Sequence, residues 1–159
     1  KAIYKEAFTH RSSNLKNSEG EAINFERLEF LGDALLTSII AEYLFQYYPL
    51  AKEGALTKLR AKIVSRVKLN QIGKEMGLFE LAQISNHNKN FGDDIHGNLL
   101  ESLIGALFID RGYEKTKNYV IKKIIPKNFS QKNPPKKTIK RKGQDHSATR
   151  PLKKKFLGM

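Results

Sequence analysis

The stretch from Asn24 to Leu36, NFERLEFLGDALL, decides how the rest of the chain is read. At 100° per residue, Glu26, Glu29 and Asp33 fall within a stripe about 60° wide on a helix. Acids at this spacing ordinarily form a solvated face. Here Leu36 and Ile40 lie on or beside the same stripe, Phe30 is close to it, and Leu28, Leu31 and Leu35 cover the opposite side. A helix apolar nearly all round is expected to be buried. Carboxylates packed together there repel one another and lose hydration unless a cation lies between them. Hard oxygen ligands on a rigid helix suit Mg²⁺ or Mn²⁺.

A second segment, HGNLLESLIGALFIDRGY (96–113), has the matching pattern. Asn98, Glu101 and Gly105 stack on one face at i, i+3 and i+7, and a glycine there lets another helix backbone approach closely. Glu29, Asp33, Asn98 and Glu101 then offer four oxygen ligands from two helices. Geometry alone leaves a second possibility open, that these carboxylates are ordinary ion-pair partners.

Around these two segments the periodicity is helical throughout, which predicts an all-α body. Asn24 is the expected N-cap of a helix that Pro49 stops, with Leu28, Leu31, Leu35, Ile39 and Tyr43 on its apolar face. A helix is expected over 54–64, with Leu56, Leu59 and Ile63 inward. Ser65 should cap the next, which turns Leu69, Ile72 and Met76 to the core and ends at Gly77. Residues 85–94 (SNHNKNFGDD) are polar and read as a loop. Two more helices follow, over 96–110 and 113–125, separated by Gly112 and closed by Pro126. No period-two strand pattern and no internal repeat is present.

Charge divides the chain. The net charge is +13, of which +10 falls in residues 126–159, leaving a nearly balanced body. That tail holds four of the five prolines and few large apolar side chains. It cannot bury enough surface to offset its ordering entropy, so disorder is predicted. Such a run attracts nucleic acid in a salt-dependent way, although Phe129 and Phe156 are its only aromatic stacking groups. The absence of cysteine excludes a disulfide framework, a zinc-thiolate site and a thiol nucleophile, and suits a reducing, cytoplasmic setting. The apolar run near Leu35 is broken by Glu42, too short to span a membrane. A start at Lys1 rather than Met points to a fragment or a processed chain.

ERLEFLGDALL (26–36) resembles the signature of the ribonuclease III family. The likeness continues through AFTHRS (7–12), EGALTKLRAKIVS (53–65) and ESLIGALFIDRGY (101–113), and covers roughly residues 3–125. It implies an all-α nuclease domain over 1–125, its first helix truncated, followed by the disordered basic tail 126–159. The implied activity is metal-dependent endonucleolytic hydrolysis of double-stranded RNA to 5′-phosphate products, in RNA processing such as that of ribosomal precursors. By the resemblance, Glu29, Asp33 and Glu101 are metal ligands, with Asp33 and Glu101 catalytic. Glu26 and Glu53 are supporting acids of a cleavage valley. Phe30 is a contact of a homodimer, against the simpler alternative of an ordinary core residue. His10 and Arg11 are expected to be structural, and Lys58, Arg60, Lys62 and Arg66 are candidates for a basic rim.

Two departures qualify the match. The family pattern has Asp where this chain has Asn98, so one ligand charge is missing and weaker metal affinity is expected. The 34 residues after Ile125 are also too few and too polar for the double-stranded-RNA-binding domain that such proteins usually add. Asn98 therefore keeps an alternative in play, a dimeric binding module that holds structured RNA without cutting it.

Overall fold

The computed structural model describes residues 1–85, 92 and 94–125, and these form six α-helices, with short 3-10 helices at Arg11–Ser13 and Leu78–Leu81 in the two longer connections. The helices are α1 (Ala2–Ala7), α2 (Glu26–Tyr47), α3 (Glu53–Ile63), α4 (Arg66–Glu75), α5 (Ile95–Arg111) and α6 (Tyr113–Lys123). Among the described residues β-structure is limited to two isolated bridges, Thr9–Gln83 and Lys16–Ala22. The all-α expectation holds. The tail over 126–159 and most of the polar loop, 86–91 and 93, lie outside the described residues. No helix among the described residues is long and apolar enough to cross a membrane.

α5 is the central helix and packs against α1, α2, α4 and α6. Nine of its 17 residues are buried, among them Leu99, Leu100, Ile104 and Ala106. Its pairing with α2 depends on two glycines. A Cβ at Gly105 would stand 2.3 Å from the Leu28 carbonyl oxygen, and one at Gly32 would stand 1.7 Å from the Glu101 carbonyl oxygen. Neither position can hold a side chain while the helices keep this separation. Gly105 fulfils the sequence expectation. Gly32 is its counterpart on α2.

The helix ends follow local chemistry. Ser65 accepts a hydrogen bond from the Lys68 N–H and caps α4 as expected. Gly77 and Gly112 take positive φ, +65° and +76°, after α4 and α5. Tyr48, before Pro49, leaves helical geometry at φ −121°, ψ 69°. The cap expected at Asn24 is displaced by one residue. α2 starts at Glu26 with Phe25 in the N-cap position, and Asn24 Oδ1 accepts from the Glu26 N–H at 3.0 Å.

The expectation that α2 is buried all round is corrected. Leu28, Leu36, Ile39, Ile40 and Leu44 are buried, whereas Phe30 and Phe45 stand largely in solvent, Phe30 at 81% exposure. The acidic stripe also changes character along the helix. Its continuation, Leu36 and Ile40, is completely buried, while Asp33 and Glu26, about one and three turns before Leu36, are exposed. The helix runs out of the core at its N-terminal end, and there the acids meet water.

Candidate functional site

Where α2 emerges, it forms one wall of an open cleft of about 1120 Å³, and α5 forms the other. Glu26, Glu29 and Asp33 face the cleft from α2, Asn98 and Glu101 from α5, and Arg66 from the start of α4. The structure thus brings Glu29, Asp33, Asn98 and Glu101 to one place from segments some 70 residues apart. The close approach at Gly32 is what permits this, because the backbone carbonyl that fills the space of the missing Cβ belongs to Glu101 itself.

Glu101 is the buried member, at 6% exposure. Desolvation raises its carboxyl to about 7, the charge of Asp33 adds to the rise, and Arg66 pulls against it. Burial also pushes Glu29 above its ordinary range, opposed by Arg66 and reinforced by Glu26 and Asp33. This donor set is electrostatically starved. Oxygens of like charge facing one cleft from two helices, with Glu101 buried and Glu29 partly so, are of the kind that suits a hard divalent cation, which would restore ionisation at Glu101. As they stand, no three Asp, Glu or His side chains among the described residues are gathered closely enough to hold a metal ion.

Arg66 is the positive group of the cleft that touches α5. Its Nη1 donates to Asn98 Oδ1 at 2.6 Å, and its Nε lies 4.0 Å from Asp94 Oδ1. From the sequence it was one of four undistinguished basic residues on the rim. Its contact with Asn98 spans 32 residues and has no local signal. Lys58, Arg60 and Lys62 do not line the cleft.

At the opposite rim, Arg11 pairs with Glu26, with Nη1 to Oε1 at 3.4 Å. His10 and Arg11 both line the cleft. The structural part expected of His10 is visible. Its Nδ1 accepts from the Ser12 N–H at 3.1 Å, its own N–H donates to the Gln83 carbonyl, and burial lowers its pKa. Glu53 is not brought to the cleft in a single chain. It sits in the first turn of α3 and accepts from Thr57 Oγ1 at 2.7 Å.

Beside the cleft lies a smaller groove of about 630 Å³, walled by Ile3, Leu28, Leu31 and Ile109, with Phe30 and Glu26 shared between the two. The exposure of Phe30 removes the core alternative for that residue.

Residues 1–128 match a family described as Ribonuclease-III-like. A protein named Ribonuclease 3 from Zunongwangia profunda is 48% identical over 124 residues, which cover 78% of this chain and 51% of that protein. A Ribonuclease 3 from Bacteroides fragilis is 39% identical over 123 residues, covering 77% and 42%. The chain thus spans about half the length of the curated relatives it matches. Among solved structures, the nuclease domain of ribonuclease III from Campylobacter jejuni, described as having a region involved in dimer formation, superimposes with a TM-score of 0.69. It shows 34% identity over 77% of this chain and 85% of that one. Dicer from Pichia stipitis superimposes with a TM-score of 0.57 at 28% identity, over 78% and 52%.

Proposed function

Because the chain belongs to the ribonuclease-III-like family, we propose that residues 1–125 form a metal-dependent endonuclease domain. Its substrate is double-stranded RNA, which it hydrolyses to 5′-phosphate products during RNA processing in the cytoplasm. The observation that carries this is the meeting of Glu29 and Asp33 with Asn98 and Glu101 across the crossing of α2 and α5, in one cleft open to a polymer.

The roles are those the family resemblance implies, and the shared facing of these side chains on the cleft supports them. Glu29, Asp33 and Glu101 hold Mg²⁺ (or Mn²⁺), with Asp33 and Glu101 catalytic, while the fourth donor expected from the sequence, the Asn98 carbonyl, is engaged by Arg66. The cation, when bound, supplies Lewis acidity at the phosphate under attack. Burial holds the Glu101 carboxyl up at about 7, and an arriving positive charge would favour its ionised form. Glu26 is a supporting acid at the rim, engaged by Arg11. Glu53 joins the valley only in a homodimer, in which Phe30 fills a groove of the second copy. A duplex is recognised by its A-form backbone rather than by base edges, and the basic segment 126–159 adds salt-dependent affinity.

Incubation with long double-stranded RNA and Mg²⁺ tests the proposal. The expected result is cleavage that Glu101→Gln abolishes. Tight binding with intact RNA at every metal concentration would overturn it in favour of a non-cutting RNA-binding module. The Arg66–Asn98 hydrogen bond is the one observation that favours that second reading, since it occupies the amide oxygen.

A further inference from the structure

Asn98 and Arg66 form a unit that the metal-site account leaves unexplained. Arg66 is the first residue of α4, at the positive end of the helix dipole, where a cation is disfavoured. Its side chain is 53% exposed, so packing does not hold it there either. What orients it is the 2.6 Å bond to Asn98 Oδ1.

The chemistry of that partner matters. An aspartate would form a charge-neutralising ion pair with the guanidinium. An amide fixes the same nitrogen and leaves the positive charge intact. The contrast lies across the cleft, where the Arg11 guanidinium is paired with the Glu26 carboxylate. Asp94 lies at 4.0 Å from Arg66 Nε, beyond hydrogen-bonding distance. Arg66 therefore keeps donors beyond the one given to Asn98, and its charge, which acts on Glu29 and Glu101 and lies at ion-pair distance from Asp94, is not neutralised in a hydrogen-bonded ion pair. It stands among Glu29, Asp33 and Glu101, the groups that would otherwise repel an RNA strand.

We propose that Arg66 is a phosphate-binding residue of the cleft and that Asn98 is its positioning residue, holding the guanidinium toward an RNA phosphodiester instead of ligating the metal. The inference rests on the nuclease reading for its ligand, a duplex RNA backbone. It assigns the missing ligand charge at position 98 a use: the position serves the substrate side of the cleft.

The experiment is a double-mutant cycle on duplex RNA affinity in EDTA, where no metal is present, as a function of salt. A lost phosphate contact lowers the slope of log affinity against log salt by about one. Arg66→Ala and Asn98→Ala are each expected to weaken binding several-fold, with the double variant no worse than Arg66→Ala alone. Arg66→Lys should keep the slope and lose the coupling to Asn98. Asn98→Asp should lower the slope by neutralising the guanidinium. A second readout, Mn²⁺ affinity by calorimetry without RNA, should be unchanged by Asn98→Ala and strengthened by Arg66→Ala.

An unchanged salt slope in Arg66→Ala, strictly additive effects, or loss of Mn²⁺ affinity in Asn98→Ala overturns the proposal. If the unsubstituted chain cuts RNA while Arg66→Ala binds it normally, only this inference fails. If the unsubstituted chain neither binds nor cuts a duplex, the nuclease reading fails and this one with it.

Discussion

At the scale of single residues, the fold depends on charges whose partners come from distant segments. Asp110, near the end of α5, is the clearest case. Its side chain is 6% exposed, and it receives hydrogen bonds from Lys1 Nζ, the Tyr4 hydroxyl and Arg111 Nε. The Lys1 bond leads in holding its carboxyl down at about 2, followed by that from Tyr4. A depressed folded-state pKa means that the unfolded chain binds the proton first. The stabilisation is therefore complete above the unfolded value near 4 and is lost as pH falls toward 2. Thermal melts of Asp110→Asn should accordingly show a lower Tm than the parent at pH 6 and convergence with it near pH 2. A constant gap across that range would mean that the residue acts through packing alone. Arg66 belongs at this scale too. Its type was legible in the sequence, but its partner was not, because a hydrogen bond across 32 positions leaves no periodic trace.

Between elements, the distance at which α2 and α5 cross sets the geometry of the cleft. Replacing Gly32 by Ala improves intrinsic helix propensity by about 1 kcal/mol. It also drives a methyl group into the Glu101 carbonyl, 1.7 Å from the ideal Cβ position. Forced backbone shifts of this kind cost about 3 kcal/mol, so a net loss of about 2 kcal/mol is expected, or roughly 5 to 10 °C in Tm for a domain of this size. The same shift displaces Glu101 from Asp33, so cleavage should fall further than stability does. A Gly32→Ala protein with parental Tm would show that the helices separate without cost. The elements themselves were legible. Ser65 starts a helix, and Pro49, Gly77 and Gly112 follow helix ends, through side-chain and backbone chemistry that acts within a few residues. Gly105 was legible as a packing glycine because it shares a face with Asn98 and Glu101. Gly32, in the middle of an apolar run, gave no such cue, since its partner is a backbone carbonyl on another helix.

For the whole molecule, the exposed apolar surface beside the cleft is the feature that one chain leaves unresolved. Phe30 is 81% exposed above a groove walled by Ile3, Leu28, Leu31 and Ile109. We expect the chain to sediment as a dimer and Phe30→Asp to shift it to monomer with the helical circular dichroism unchanged. A Phe30→Asp dimer of parental affinity would remove Phe30 from the interface. Sequence periodicity placed Phe30 near the acidic stripe but assigned the whole helix to the interior. The pattern of one helix cannot distinguish a surface buried by its own chain from one awaiting a second copy. Glu53 has the same ambiguity, on α3 and away from the other acids.

A surface helix ordinarily keeps one facet where substitutions accumulate at little cost. The first two turns of α2 have no such facet. Glu26, Glu29 and Asp33 open on the cleft, Leu28 and Gly32 seat against α5, and Arg27, Phe30 and Leu31 border the apolar groove. With the groove covered by a second copy, as proposed, every direction around the cylinder is engaged. Genetic drift should therefore find no foothold between positions 26 and 33, and a library randomised there should return almost nothing but the parent, while one over the outer face of α3 should return nearly anything.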